Sequence, residues 1–171
     1  KVPLEPWDCR AVEPVKRLAG STLGIIGFGR IGQATAQRAK AMRMRVIAHD
    51  PYLRPGTEKV FGVEMVSMEE LLSKSDVVTL HTPLTKETER LINAETLAQM
   101  KSNSILVNTS RGAVVDTAAL AEALRVGKIA AAGSDVLPAE PATTDEPLVQ
   151  LWREATERNV NLILTPHTAF Y

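Results

Sequence analysis

The sequence predicts an α/β domain built on a doubly wound parallel sheet. Short runs rich in Val and Ile alternate, from Thr22 onward, with longer Ala- and Leu-rich stretches, which is the pattern of repeated strand–helix crossovers. Several of the short runs are apolar throughout, as strands covered on both faces should be. A glycine triplet, Gly27-x-Gly29-x-x-Gly32, stands where the first strand pattern gives way to the first helix pattern.

In chain order, residues 1–20 read as an irregular lead-in containing Pro3, Pro6 and Pro14, followed by a short helix that ends near Gly20. Strands are expected at 23–26, 45–48, 63–65, 77–80, 104–108, 130–134 and 162–164, and helices at 30–41, 67–73, 94–100, 116–126 and 148–157. Entry residues support the helices. Ser67 opens a Ser-x-x-Glu box, Asn93 and Asp116 are good N-cap types, and Gly127 is a natural stop. The segment 138–147, with Pro138, Pro141 and Pro147, is expected to be a loop after the sixth strand. Residues 21–171 therefore form one domain after the lead-in.

A chain of 171 residues, 44% hydrophobic and 23% charged, suits a single globular domain. Its 20 basic residues balance 20 acidic ones without a long single-sign run, so no nucleic-acid face or polybasic membrane face is indicated. A small-molecule ligand is the better expectation. Cys9 is the only cysteine, no stretch approaches the ~20 apolar residues of a membrane span, and Lys1 to Cys9 lack a signal-peptide core, so a cytoplasmic protein is expected. No Cys, His and carboxylate cluster has metal-ligand spacing, so no metal is expected, and there is no Gly-x-Ser-x-Gly elbow for acyl transfer.

The context of the glycines gives them meaning. Gly27 permits a tight turn, Gly29 lets backbone amides approach a pyrophosphate, and Gly32 lets helix and strand pack closely. The helix start then offers bare N–H groups and a partial positive charge to the anion. Asp50 ends the next strand, roughly 20 residues on, where a carboxylate accepts hydrogen bonds from the adenosine ribose and repels a 2′-phosphate. This is the fingerprint of a dinucleotide-binding (Rossmann) domain with NAD favoured over NADP. Asp50-Pro51 is also a respectable turn start, and Arg54 nearby leaves the degree of discrimination against a 2′-phosphate open.

Five blocks together resemble one family: 22–32 around the glycines, His49-Asp50-Pro51-Tyr52, 75–85 with His81-Thr82-Pro83, Leu106-Val107-Asn108-Thr109-Ser110-Arg111-Gly112, and Thr165-Pro166-His167. Their order and spacing resemble the cofactor domain of D-2-hydroxyacid dehydrogenases from about Ala19 to the chain end. The resemblance implies hydride transfer between NAD and a 2-hydroxy or 2-keto acid, with Arg111, Glu140 and His167 as the catalytic set. In that reading His167 exchanges the hydroxyl proton, Glu140 favours its imidazolium, and the Arg111 fork clamps the carboxylate or polarises the carbonyl.

Cofactor contacts carry over as well. Arg30 and Ile31 offer backbone amides to the pyrophosphate, Arg30 adding charge. Thr82, Pro83, Thr109 and Ser110 contact the ribose and nicotinamide side, and Asp135 resembles the acid that orients the carboxamide. His81 reads equally as a structural histidine or a ligand contact, and His49 as structural.

The stretch between Glu140 and His167 is a little longer than in many relatives, which implies an extra helical turn near the cleft. The family's substrate-binding domain has no counterpart in this chain, so the sequence reads as one domain of a two-domain enzyme, inactive by itself, with homodimerisation through the cofactor domain implied. Two alternatives stand beside the dehydrogenase: an NAD(H)-sensing, corepressor-like binding module, and a phosphite-type dehydrogenase of the same family.

Overall fold

Seven strands follow one another as the apolar runs do: β1 (Thr22–Ile26), β2 (Arg45–His49), β3 (Glu64–Met65), β4 (Val77–Leu80), β5 (Ile105–Asn108), β6 (Ala131–Ser134) and β7 (Asn161–Leu164). In this computed structural model, residues 17–158 and 160–169 are described. All seven strands are parallel, in the order β3-β2-β1-β4-β5-β6-β7. The chain winds outward from β1 in one direction, then returns and winds outward from β4 in the other. The reversal leaves a crevice beyond the C-terminal ends of β1 and β4.

Helices α1 (Arg30–Ala41), α3 (Met68–Lys74), α4 (Ala94–Gln99), α5 (Thr117–Arg125) and α6 (Pro147–Arg158) fall where the periodicity places them. Three begin at the expected side-chain caps. Ser67 accepts from the Glu70 amide and Asp116 from the Ala119 amide, while Asn93 Oδ1 accepts from the Glu95 and Thr96 amides and the Asn93 amide donates in return to Thr96 Oγ1. Gly127, at φ +67°, stops α5.

Two elements escape the sequence reading. Helix α2 (Thr57–Phe61) has only five residues, too few for a periodic signal, and lies between left-handed Gly56 and Gly62. It is held from outside, by Phe61 edge-on to Phe28 at 5.8 Å and by Lys40 Nζ donating to the Phe61 and Gly62 carbonyls. The second is a 3₁₀ turn at Gly112–Val114. The lead-in helix expected before Gly20 lies mostly outside the described residues, and Leu18 to Gly20 form a turn.

The two sheet faces are covered unequally. Helices α3 to α6 form a layer over one face, where Ile26, Ile47, Leu80, Leu106, Leu120 and Leu151 are buried together. On the other face α1 packs on β1 and β2 over Leu23, Ile25, Phe28, Ala36 and Val46. The expectation that apolar strands are covered on both sides therefore fails for β5 to β7. Ile105 and Ile163 point to the second face there and remain 38% and 68% exposed among the described residues.

Candidate cofactor and catalytic site

The glycine turn is pinned from beneath. Phe28, inside the triplet, is fully buried, and its amide donates to Asp50 Oδ2 at 2.8 Å. Gly27 has φ +89°, and a Cβ there would sit 2.8 Å from the His81 backbone; one on Gly32 would sit 2.3 Å from the Gly27 carbonyl oxygen. At Gly29 a Cβ would meet nothing within 4 Å. Two glycines are therefore demanded by the protein's own packing, and the third opens the backbone toward empty space.

Helix α1 has Gly29 as its N-cap, with no side-chain cap and no acid in its first turn, so the amides near Arg30 and Ile31 lack the side-chain partners that α3, α4 and α5 supply. Arg30 and Ile31 line a shallow groove with Arg38 and His81.

Asp50 supports both of its sequence readings. Its Oδ1 accepts from the Tyr52 amide at 3.0 Å, a turn contact, while Oδ2 braces the glycine turn. A carboxylate has about four lone-pair sites, so two amides leave acceptor capacity for ribose hydroxyls. Asp50 lines a cavity of about 560 Å³ with Gly27, Gly29, His81, Thr82 and Pro83. A Tyr52 hydroxyl bond to Glu87 links two of its loops. His81 is bound through its amide to the Ile26 carbonyl, its ring meets Thr79 Oγ1, and burial lowers its pKa, so it is neutral near pH 7. Thr82 Oγ1 is buried without a hydrogen-bond partner, the condition of a group awaiting a ligand. His49 Nδ1 meets the Val66 carbonyl oxygen, in keeping with its structural reading.

The second half of the site hangs from β5, β6 and β7. Buried Asn108, at the end of β5, accepts through Oδ1 from Ser110 N and Oγ and donates through Nδ2 to the Arg111 carbonyl. It fixes the Thr109-Ser110-Arg111 loop, and sequence reading missed it. Its only signal was an Asn ending a buried strand. A Cβ on Gly112 would overlap the Leu137 backbone at 1.9 Å, so Arg111's loop presses against the segment leading to Glu140. The Arg111 guanidinium itself folds onto the Ser110 carbonyl.

His167 Nδ1 and Glu140 Oε2 lie 2.6 Å apart, while Glu140 Oε1 accepts from the Leu137 amide. These two bonds hold the Glu140 carboxyl below its ordinary pKa, the one from His167 contributing most. Asp135 has a role beyond the one the resemblance implies. Its buried carboxylate accepts from Thr165 Oγ1 and from the amides of Thr168 and Ala169, tying down the loop that carries His167. Burial opposes its ionisation, but the bonds from Thr165, Ala169 and Thr168 prevail and lower its pKa.

The anticipated residues thus form two groups along one sheet edge. Gly27, Gly29, Arg30, Ile31, Gly32, Asp50, His81, Thr82 and Pro83 surround the ends of β1, β2 and β4, while Thr109, Ser110, Arg111, Asp135, Glu140 and His167 surround the ends of β5 to β7. Residues 4–169 match the family described as D-isomer specific 2-hydroxyacid dehydrogenase, NAD binding domain. The chain belongs to this family.

Among its relatives, a glyoxylate reductase of Korarchaeum cryptofilum is 51% identical over 88% of this chain and 43% of its own length. A D-3-phosphoglycerate dehydrogenase of Archaeoglobus fulgidus is 44% identical over 89% of this chain and 27% of its own. The crystal structure of D-lactate dehydrogenase from Aquifex aeolicus, complexed with NAD and lactic acid, superposes with a TM-score of 0.81 at 40% identity, over 92% of this chain and 49% of that one. The chain therefore spans less than half the length of these relatives, and family membership confirms the doubly wound dinucleotide-binding architecture expected of it.

Proposed function

We propose that this chain holds NAD along the ends of β1 and β4 and that the intact protein interconverts a D-2-hydroxy acid and its 2-keto acid. The observation that carries this reading is the 2.6 Å Glu140–His167 pair, set on the same sheet edge as a glycine turn whose outward face is empty. The residues present fit the cofactor. Bare amides at the start of α1 suit a pyrophosphate, spare lone pairs of Asp50 suit a ribose, and the orphaned Thr82 hydroxyl lies between these and the β5 loop.

NAD, when bound, supplies the hydride acceptor or donor. The chain's residues supply the rest. With Nδ1 engaged by Glu140, proton exchange with the substrate oxygen falls to Nε2 of His167. The Glu140 bond fixes the ring's orientation, and in the direction of keto-acid reduction His167 passes a proton from Nε2 to the carbonyl oxygen. Arg111 is assigned to the substrate carboxylate, with its fork released from the Ser110 carbonyl to bind it.

A substrate-binding lobe outside this chain is proposed to close the cleft, and a homodimer and a cytoplasmic location complete the reading. The face bearing Ile105 and Ile163, exposed among the described residues, supports a further packing partner, and the single cysteine suits a reducing compartment. No described helix is long and apolar enough to cross a membrane. The test is a panel of 2-keto acids with NADH on the intact protein. Turnover of at least one is expected, whereas tight NADH binding with a silent panel would favour a binding module.

A further inference from the structure

The Glu140–His167 pair forms one rim of a second cavity, of about 500 Å³. The mechanism above does not use it. Apart from Asp135 and Thr165, which are bonded to each other, its remaining wall is apolar: Leu137, Pro141 and Ala142 come from the loop after β6, Val149 and Trp152 from α6, and Leu164 and Pro166 from the end of β7 and the turn after it. Among the described residues no lysine or arginine lines it. Helix α6 buries Leu148 and Leu151 against the core, at 1% and 0% exposure, and turns Val149 and Trp152 to the cavity, where the indole stays 51% exposed. A half-exposed tryptophan beside a proton-transfer pair offers a large apolar surface that a ligand can cover.

We propose that this cavity receives the side chain of the 2-keto acid, selecting large apolar or aromatic substituents, with Trp152 as the specificity-determining residue. The inference rests on the reading of His167 as proton donor. A carbonyl oxygen within hydrogen-bond reach of that imidazole places the substituent on C2 a few ångströms from the rim that His167 itself forms. A hydrogen or methyl group leaves such a volume nearly empty. A phosphate or second carboxylate entering it would lose water, meet no lysine or arginine among the described lining residues, and face the Glu140 carboxylate. A branched aliphatic or phenyl group gains contact along the whole wall.

The test compares kcat/KM of the intact protein with NADH for glyoxylate, pyruvate, 3-phosphohydroxypyruvate, 4-methyl-2-oxopentanoate and phenylpyruvate. Trp152 fluorescence is read with the same acids as the difference between the intact protein and its Trp152→Phe variant. The two largest apolar acids are expected to be preferred by about tenfold or more and to quench Trp152. Trp152→Ala should erase most of that preference and leave glyoxylate nearly unchanged.

Because Trp152 also covers part of α6, a second variant is needed. Ala142→Trp, on an exposed loop, should fill the cavity and exclude the large acids alone. Turnover that favours glyoxylate or the phosphorylated acid, with both variants neutral or lowering every substrate equally, overturns the cavity assignment and leaves the dehydrogenase reading intact. A panel silent throughout, with no quenching, overturns both.

Discussion

Helices α1 and α5 begin in opposite ways. Helix α5 is closed by its own Asp116, whose carboxylate accepts from the Ala119 amide, and α3 and α4 are closed likewise by Ser67 and Asn93. Helix α1 begins at a glycine with no side chain over its first amides. A cap is worth about 1 kcal/mol, and α1 forgoes it. Stability is recovered below the turn instead, by buried Phe28 and by the Asp50 bond to its amide. The difference teaches that α3, α4 and α5, which hold the fold, close their own first amides, while α1, at the sheet's point of reversal, leaves its amides open to an anion.

The comparison separates binding from chemistry, and the largest expected effect tests that division. Replacing His167 with Ala in the intact protein should lower turnover by roughly 10²–10⁴-fold, as for a general acid–base, while fluorescence titration shows NADH affinity nearly unchanged. Next come two glycines of one motif. Gly29→Val should weaken NADH at least about tenfold and barely move the melting temperature, because its Cβ site is open. Gly32→Ala, whose Cβ would meet the Gly27 carbonyl at 2.3 Å, should cost about 1–3 kcal/mol in denaturant unfolding.

The capped helix gives the complementary result. Asp116→Ala should lose about 1 kcal/mol of stability with cofactor affinity intact. A fall in NADH affinity there would show that capped ends are not confined to holding the fold.

The smallest effect is a pH dependence. The Asp135 carboxyl titrates below its ordinary value in the folded state, so the stability its ionised form contributes is complete above that value and is lost as pH falls through the folded one. Thermal melts of the native chain should therefore drop across the acid range below about pH 4, and Asp135→Asn should flatten that part of the curve. Identical slopes would remove Asp135 as the anchor of the His167 loop.

Much of this was legible beforehand, for physical reasons that also mark where legibility ends. Parallel strands buried against helices must be apolar, so the runs at β1, β4 and β5 announced themselves, and side-chain caps announced α3, α4 and α5. Helix α2 did not, because its five residues are held by Phe28 and Lys40 rather than by their own pattern.

Within the site, the glycines and Asp50 were readable because their spacing is local. Asn108 was not, since an asparagine at a strand end looks like any turn residue until its three bonds to the Ser110–Arg111 loop are seen. Asp135 was readable as an acid after a small-residue strand, yet its partners lie more than 30 positions away, at Thr168 and Ala169. The cavity beside Trp152 is assembled from three separate segments and has no signature in any one of them.

The anchoring of His167 has a mechanical consequence. Its amide donates to the Asp135 carbonyl, and the residues flanking it hang from the Asp135 side chain, so the imidazole is bolted to β6. It travels with the sheet as one body. Any hinge that opens or shuts the cleft changes how far this ring stands from the opposing wall and leaves its distance to the glycine turn constant.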